Sequence, residues 1–105
     1  MNTYKVVVTA DAKDDLKRYR DYLLYVKNSP QAAKNVVLDF RKTRERLETI
    51  AGSLPAPGSE ALKRRRLKRI NFLQHDYFLL FRVEGQMVYV TNMFHSREDF
   101  ESKLR

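Results

Sequence analysis

Apolar positions repeat with two different periods along this chain, and the period changes near residue 67. Tyr4 to Thr9 is β-branched and weakly alternating, which predicts a first strand. Ala12, Leu16, Tyr19, Leu23 and Val26 then follow at spacings of four, three, four and three. Those spacings put them in one stripe on a helix. Thr9 is placed to cap it, and Asp11 falls in its first turn, where the helix dipole favours an acid. Asn28-Ser29-Pro30 breaks the stripe. Ser29 suits an N-cap and Pro30 the first position of a second helix. Ala33, Val36, Val37, Phe40, Leu47 and Ile50 give that helix its apolar face, and Gly52 suits its stop. A connection this short makes the helices antiparallel neighbours, near residues 10–27 and 30–51.

Ser53 to Ser59, with two prolines, reads as a loop, and Glu60 to Arg66 as one or two helical turns. Leu67–Leu73, Tyr77–Val83 and Met87–Phe94 are β-rich runs separated by Gln74-His75-Asp76 and Glu84-Gly85-Gln86, lengths that suit hairpin loops. Ser96 to Leu104 reads as a short helical tail with Phe100 and Leu104 on one face. The expected fold is α+β: an N-terminal strand, then an antiparallel helical hairpin packed on an antiparallel sheet with a C-terminal three-strand meander. Residues 1–105 form one domain in this reading. One sheet face is expected to be partly open, and function to sit there.

Composition narrows the chemistry. The 105 residues contain no cysteine, which removes disulfides, thiolate metal sites and cysteine nucleophiles together. With only two histidines, a zinc enzyme is not expected, nor any other cofactor. No apolar run approaches the roughly 20 residues that span a bilayer, and the start of the chain is too short for a signal-peptide core. A cytoplasmic protein without a membrane partner is expected.

Twenty-one Lys and Arg against 13 Asp and Glu give a net charge of +8. A polyanion or an acidic protein segment is the natural partner. The charge concentrates in Lys63-Arg64-Arg65-Arg66-Leu67-Lys68-Arg69, where six of seven positions are basic. On a strand, Arg69 and Asn71 share one face while Lys68, Ile70 and Phe72 share the other. The basic run is therefore expected to border the open face. There it would contact nucleic acid or dock an acidic partner, with Tyr77 as a candidate for stacking on a base.

Several segments resemble the RelE/ParE superfamily of toxins from type II toxin–antitoxin systems. They are the opening Tyr4-Lys5-Val6-Val7-Val8-Thr9 with Asp11-Ala12-Lys13-Asp14-Asp15-Leu16, and the second-helix start Ser29-Pro30-Gln31-Ala32-Ala33. Leu67-Lys68-Arg69-Ile70, Asp76 to Val83 and Phe94-His95-Ser96-Arg97-Glu98-Asp99 complete the likeness, which covers nearly the whole chain. It implies a toxin, monomeric or weakly dimeric alone, neutralised by a cognate acidic antitoxin. Two targets stay open: mRNA on the ribosome, cut by a metal-free endonuclease of the RelE type, or DNA gyrase, inhibited by the ParE type. A basic binding module without activity is the third possibility.

Metal-free RNA cleavage needs a base for the 2′-hydroxyl, an acid for the leaving oxygen and a cation for the phosphorane. His95, at the end of the last expected strand, is the acid/base candidate by residue type and by its resemblance to a family histidine. Asp76 resembles an acid that one nuclease branch places here, though ordinary turn chemistry is the simpler explanation. His75 reads as an exposed turn residue. Phe78 stands where the nucleases commonly show an arginine, and no tyrosine follows Arg97. Arg82 and Arg97 are the candidates for the missing cation.

Overall fold

A computed structural model describes residues 3–104. Strand β1 (Lys5–Val8) leads into helix α1 (Ala10–Asp21), whose last turn widens into a π-helical segment at Tyr22–Val26. Helix α2 (Pro30–Ile50) returns antiparallel to α1, and a 3₁₀ turn, Ala51–Ser53, ends it. Helix α3 (Glu60–Arg64) precedes the meander β2 (Lys68–Asn71), β3 (Tyr77–Glu84) and β4 (Met87–His95), and a 3₁₀ turn at Phe100–Lys103 closes the chain.

The caps are those the sequence marks. The hydroxyls of Thr9 and Ser29 accept the amides of Ala12 at 3.3 Å and Ala32 at 3.2 Å, and Pro30 opens α2. Ala12 is buried and Leu16, Tyr19 and Leu23 pack on the core, as the stripe requires. Val26 is 63% exposed instead. A π turn holds more residues than an α turn, so the stripe rotates off the core before Val26 is reached.

The sheet has four strands in the order β1-β4-β3-β2. The meander is antiparallel, but β1 pairs in parallel with β4, Val6 beside Val88 and Val8 beside Val90, so the sheet is mixed rather than purely antiparallel. Chain direction explains it. The helical hairpin brings the chain back beside the start of β1, where the Tyr4 amide donates to the Glu48 carbonyl at 2.7 Å. The meander leaves from that end, and after three passes β4 runs the same way as β1. Gly85, with φ +59°, makes the two-residue turn between β3 and β4 possible.

Beyond Val8, helix α1 replaces β1 along the edge of β4. The Thr9 amide donates to the Val90 carbonyl at 3.0 Å, the Asp15 carboxylate accepts the Met93 amide at 2.9 Å, and Glu98 accepts the His95 amide at 2.9 Å. Edge groups of β4 that would otherwise lack partners are thus satisfied, the Val90 carbonyl by a backbone amide and the Met93 and His95 amides by side chains.

Alternation on β3 divides the core. Tyr77, Leu79 and Phe81 join Val36, Phe40 and Leu47 under the helices. Phe78 and Leu80 face the other side and pack with Leu62, Leu67 and Phe94, against which Phe100 and Leu104 of the tail close. The second face is therefore half covered, and the strip beyond the tail is the open part.

Two buried polar residues on α2, Asp39 and Thr43, sit on its core-facing stripe. Thr43 satisfies its hydroxyl on the Asp39 carbonyl at 2.8 Å. Asp39 reaches the turn before β3 and accepts the amides of Gln74 at 3.1 Å and His75 at 3.0 Å, and Nδ1 of the His75 ring at 2.7 Å. His75 is therefore a half-buried partner of α2, not an exposed turn residue. Among the described residues no helix is long and apolar enough to cross a membrane.

Candidate functional site

Two groups of candidate residues occupy opposite faces of the sheet. The first lies at the end of β4. His95 pairs with Tyr77 in the β3–β4 register, and their rings meet edge-on with centroids 5.0 Å apart. Tyr77 also meets Tyr19 and Phe72, so it is a core residue on the helix side, closed to a stacking base. Burial, with Glu98 and Tyr22 adding to it, pushes its hydroxyl pKa up.

A polar hub holds this end together. The Tyr19 hydroxyl donates to Glu98, which also accepts the His95 amide and pairs with Lys103. Burial opposes charge on Glu98, yet Lys103, the Tyr19 hydroxyl and the His95 amide together bring its pKa down to about 2. Burial and the Glu98 carboxylate push the Tyr19 hydroxyl above its ordinary value. The His95 ring has a fixed task as well: its Nδ1 accepts the Arg97 amide at 3.1 Å. A neutral His95 accepting there carries its proton on Nε2 and can offer it only as a donor. Asp76, exposed, neighbours this end through its carbonyl, which accepts the Ser96 amide at 2.8 Å. The structure thus brings His95, Asp76 and the Arg97 backbone to one end of the sheet.

Arg82 is not there. It lies five residues past Tyr77 on β3 and faces the other side, about 16 Å away at the ~3.3 Å rise of a strand residue. Its guanidinium covers the Tyr89 ring at 4.9 Å and pairs with Glu84 at 3.2 Å. Arg82 and His95 cannot hold one phosphate between them.

The second group is the basic run. The alternation expected for β2 holds: Arg69 faces away from the helices, 3.7 Å above the Phe78 ring, with its Nε donating to the Asn71 side chain at 2.8 Å. Burial lowers the Arg69 pKa. Lys68 turns the opposite way and donates to the Leu54 carbonyl at 2.9 Å, which removes it from the expected patch. Lys63, Arg64, Arg65 and Arg66 are exposed on and after α3, with Arg65 donating to the Ala61 carbonyl at 3.3 Å. Lys63, which lies 3.7 Å from Glu60, remains with Arg64, Arg65, Arg66 and Arg69 as the cationic surface.

Sequence reasoning missed Asp39, Tyr19 and Glu98 as polar organisers. An acid on the core stripe of α2 was the available signal for Asp39. Nothing in the local pattern marks Tyr19 and Glu98, whose contact spans 79 positions.

Comparison with known proteins gives the family. A comparison with curated protein sequences returned no match. Among solved structures, a chain of the chromosomal ParDE TA system from P. aeruginosa superposes with a TM-score of 0.71. It is 19% identical, and the match covers 89% of this chain and 96% of that one. At that identity the likeness speaks for the fold. A family model described as ParE toxin of type II toxin-antitoxin system, parDE, matches residues 6–100. Because that match takes in the sheet and both long helices, the chain belongs to the ParE toxins of type II toxin–antitoxin systems.

Proposed function

We propose that this toxin arrests growth by binding DNA gyrase through its surface, and that it is not an mRNA endonuclease. The observation that carries the reading is that the basic run and Arg82 lie across the sheet from His95, which leaves Arg97, two residues along the chain, as the candidate cation at its end. A phosphate backbone held by Arg69 and the residues of α3 lies across the sheet from His95, the group that would transfer its proton. Charge stabilisation and proton transfer must converge within hydrogen-bond reach of one phosphate. Further support comes from the His95 tautomer set by the Arg97 amide, which leaves the ring no acceptor nitrogen for a 2′-hydroxyl. Binding to a protein target makes neither demand. The cognate antitoxin, an acidic and partly disordered protein that folds on docking, would neutralise the toxin by covering its contact surface.

The test uses the purified chain on both targets. Gyrase supercoiling should fall with added toxin, and cellular mRNA ends mapped during growth arrest should match those of untreated cells. New mRNA ends carrying 2′,3′-cyclic phosphates, with supercoiling unaffected, would replace this reading with the nuclease.

A further inference from the structure

The open strip of the second sheet face is a groove of about 900 Å³ between the first turns of α1 and the α3–β2 junction. Its two walls carry opposite charge. Asp11, Asp14 and Asp15 line the α1 side together with Arg18, which pairs with Asp15, while Arg65, Arg82 and Lys103 line the other and the half-buried Leu104 contributes apolar surface. This is unexpected in a chain of net charge +8. Arg82 is held in place on this wall, since it is stacked on Tyr89, paired with Glu84 at 3.2 Å and half-buried.

We propose that this groove takes an extended protein segment of mixed charge. A Lys or Arg of that segment would face Asp11 and Asp14. A carboxylate would face Arg65 and Arg82, and an apolar side chain between them would cover Leu104. The inference rests on the reading of this chain as a toxin held by a protein antitoxin, and it assigns that partner a charge order rather than acidity alone. A nucleic acid is a poor occupant, because phosphates placed against Arg82 would also lie against the α1 carboxylates, and like charges in a shared groove are repelled. A uniformly acidic peptide meets the same wall. A fixed Arg82 needs little reordering on binding, which favours affinity.

The experiment uses the full chain and defined probes. Fluorescent peptides of one composition are prepared with a basic half, an apolar centre and an acidic half, in both chain directions and scrambled. An all-acidic peptide and an RNA oligonucleotide complete the set. Anisotropy should show one bipolar peptide binding more tightly than its scrambled form. Asp14→Lys should weaken that peptide roughly tenfold, the scale of a close charge pair across an interface. Reversing the peptide's basic residues should restore binding to Asp14→Lys. Asp14→Asn, a milder change, should weaken it less. Tightest binding by the all-acidic peptide or by RNA, strengthened in Asp14→Lys, would overturn the proposal. So would a scrambled peptide that binds as well as the ordered one. The gyrase assay is independent of these probes, so loss of the gyrase reading and loss of the groove assignment are separately visible.

Discussion

The Asp39 carboxylate and the His75 imidazole meet at 2.7 Å, joining the middle of α2 to the turn between β2 and β3. Asp39 is 4% exposed, and its second oxygen, Oδ1, is buried without a hydrogen-bond partner among the described residues. Burial opposes its charge, but the His75 ring and the Gln74 and His75 amides outweigh that and hold its pKa below the ordinary value. Removing the carboxylate strands two amides and a ring nitrogen in a half-buried turn. Asp39→Ala should cost about 3 kcal/mol, read as a lower urea midpoint. His75→Ala should cost less, because the two amides still hold the carboxylate.

Glu98 gives a pH dependence of definite sign. Its pKa falls from 4.5 to about 2 on folding, so the ionised form is the one the fold favours. The resulting stability is complete above about pH 4.5 and is lost as pH falls through about 2. Asp39, also lowered, acts in the same direction below its ordinary value of 3.8. Asp15 is raised by burial, which outweighs the Met93 amide and Arg18, and it works against the other two. Denaturation midpoints measured from pH 6 to pH 2 should therefore fall less steeply for Glu98→Gln than for the parent chain. Parallel curves would show that Glu98 carries no such coupling.

Much of the fold is legible in local pattern, because caps and stripes are local physics. Thr9 and Ser29-Pro30 mark both helix starts, and alternation on β2 places Arg69 opposite Lys68. The failures come from non-local causes. Gly52 reads as a helix stop needing a left-handed residue, but its backbone sits in a 3₁₀ turn. The requirement there is space, since any Cβ would collide with the Tyr4 hydroxyl. The direction of β1 follows only once β4 is known to be its neighbour. At the candidate site, parity along β3 already separates Arg82 from Tyr77. The pairing of Tyr77 with His95 needs the register, which a bulge near Leu80 and Phe81 shifts by one residue.

Arg66 occupies the left-handed position that ends α3, with φ +57°. Its amide donates to the Lys63 carbonyl at 3.1 Å, and the Leu67 amide returns to the Leu62 carbonyl at 2.9 Å while both leucines are buried. Glycine is the usual residue at this point of a helix end, because a Cβ there crowds the backbone at about 1–2 kcal/mol. Arg66→Gly should therefore raise the unfolding free energy by about 1 kcal/mol, read as a higher urea midpoint with an unchanged slope. If the same variant binds nucleic acid less well at low salt, an arginine has been kept here for its charge at a cost in stability.

His95→Ala separates contact from catalysis. The ring packs edge-on against Tyr77 and its Nδ1 holds the Arg97 amide, so the side chain organises the junction between β4 and the tail. Losing an edge-on aromatic contact and one hydrogen bond should cost about 1–2 kcal/mol of stability. Losing a proton-transfer group would instead cut activity by about 10²- to 10⁴-fold. In the gyrase reading the variant keeps growth inhibition and supercoiling inhibition within about threefold of the parent, since a surface contact needs no proton transfer. His95→Gln, which retains an acceptor for the Arg97 amide, should recover most of the lost stability. A loss of toxicity in both variants, at toxin levels shown to be folded and able to bind the antitoxin, would return His95 to a chemical role. In that case Asp76 is the next residue to change, as an exposed carboxylate brought to the same end of the sheet by the pairing of its carbonyl with Ser96, whereas Glu98 there is already held by Tyr19 and Lys103.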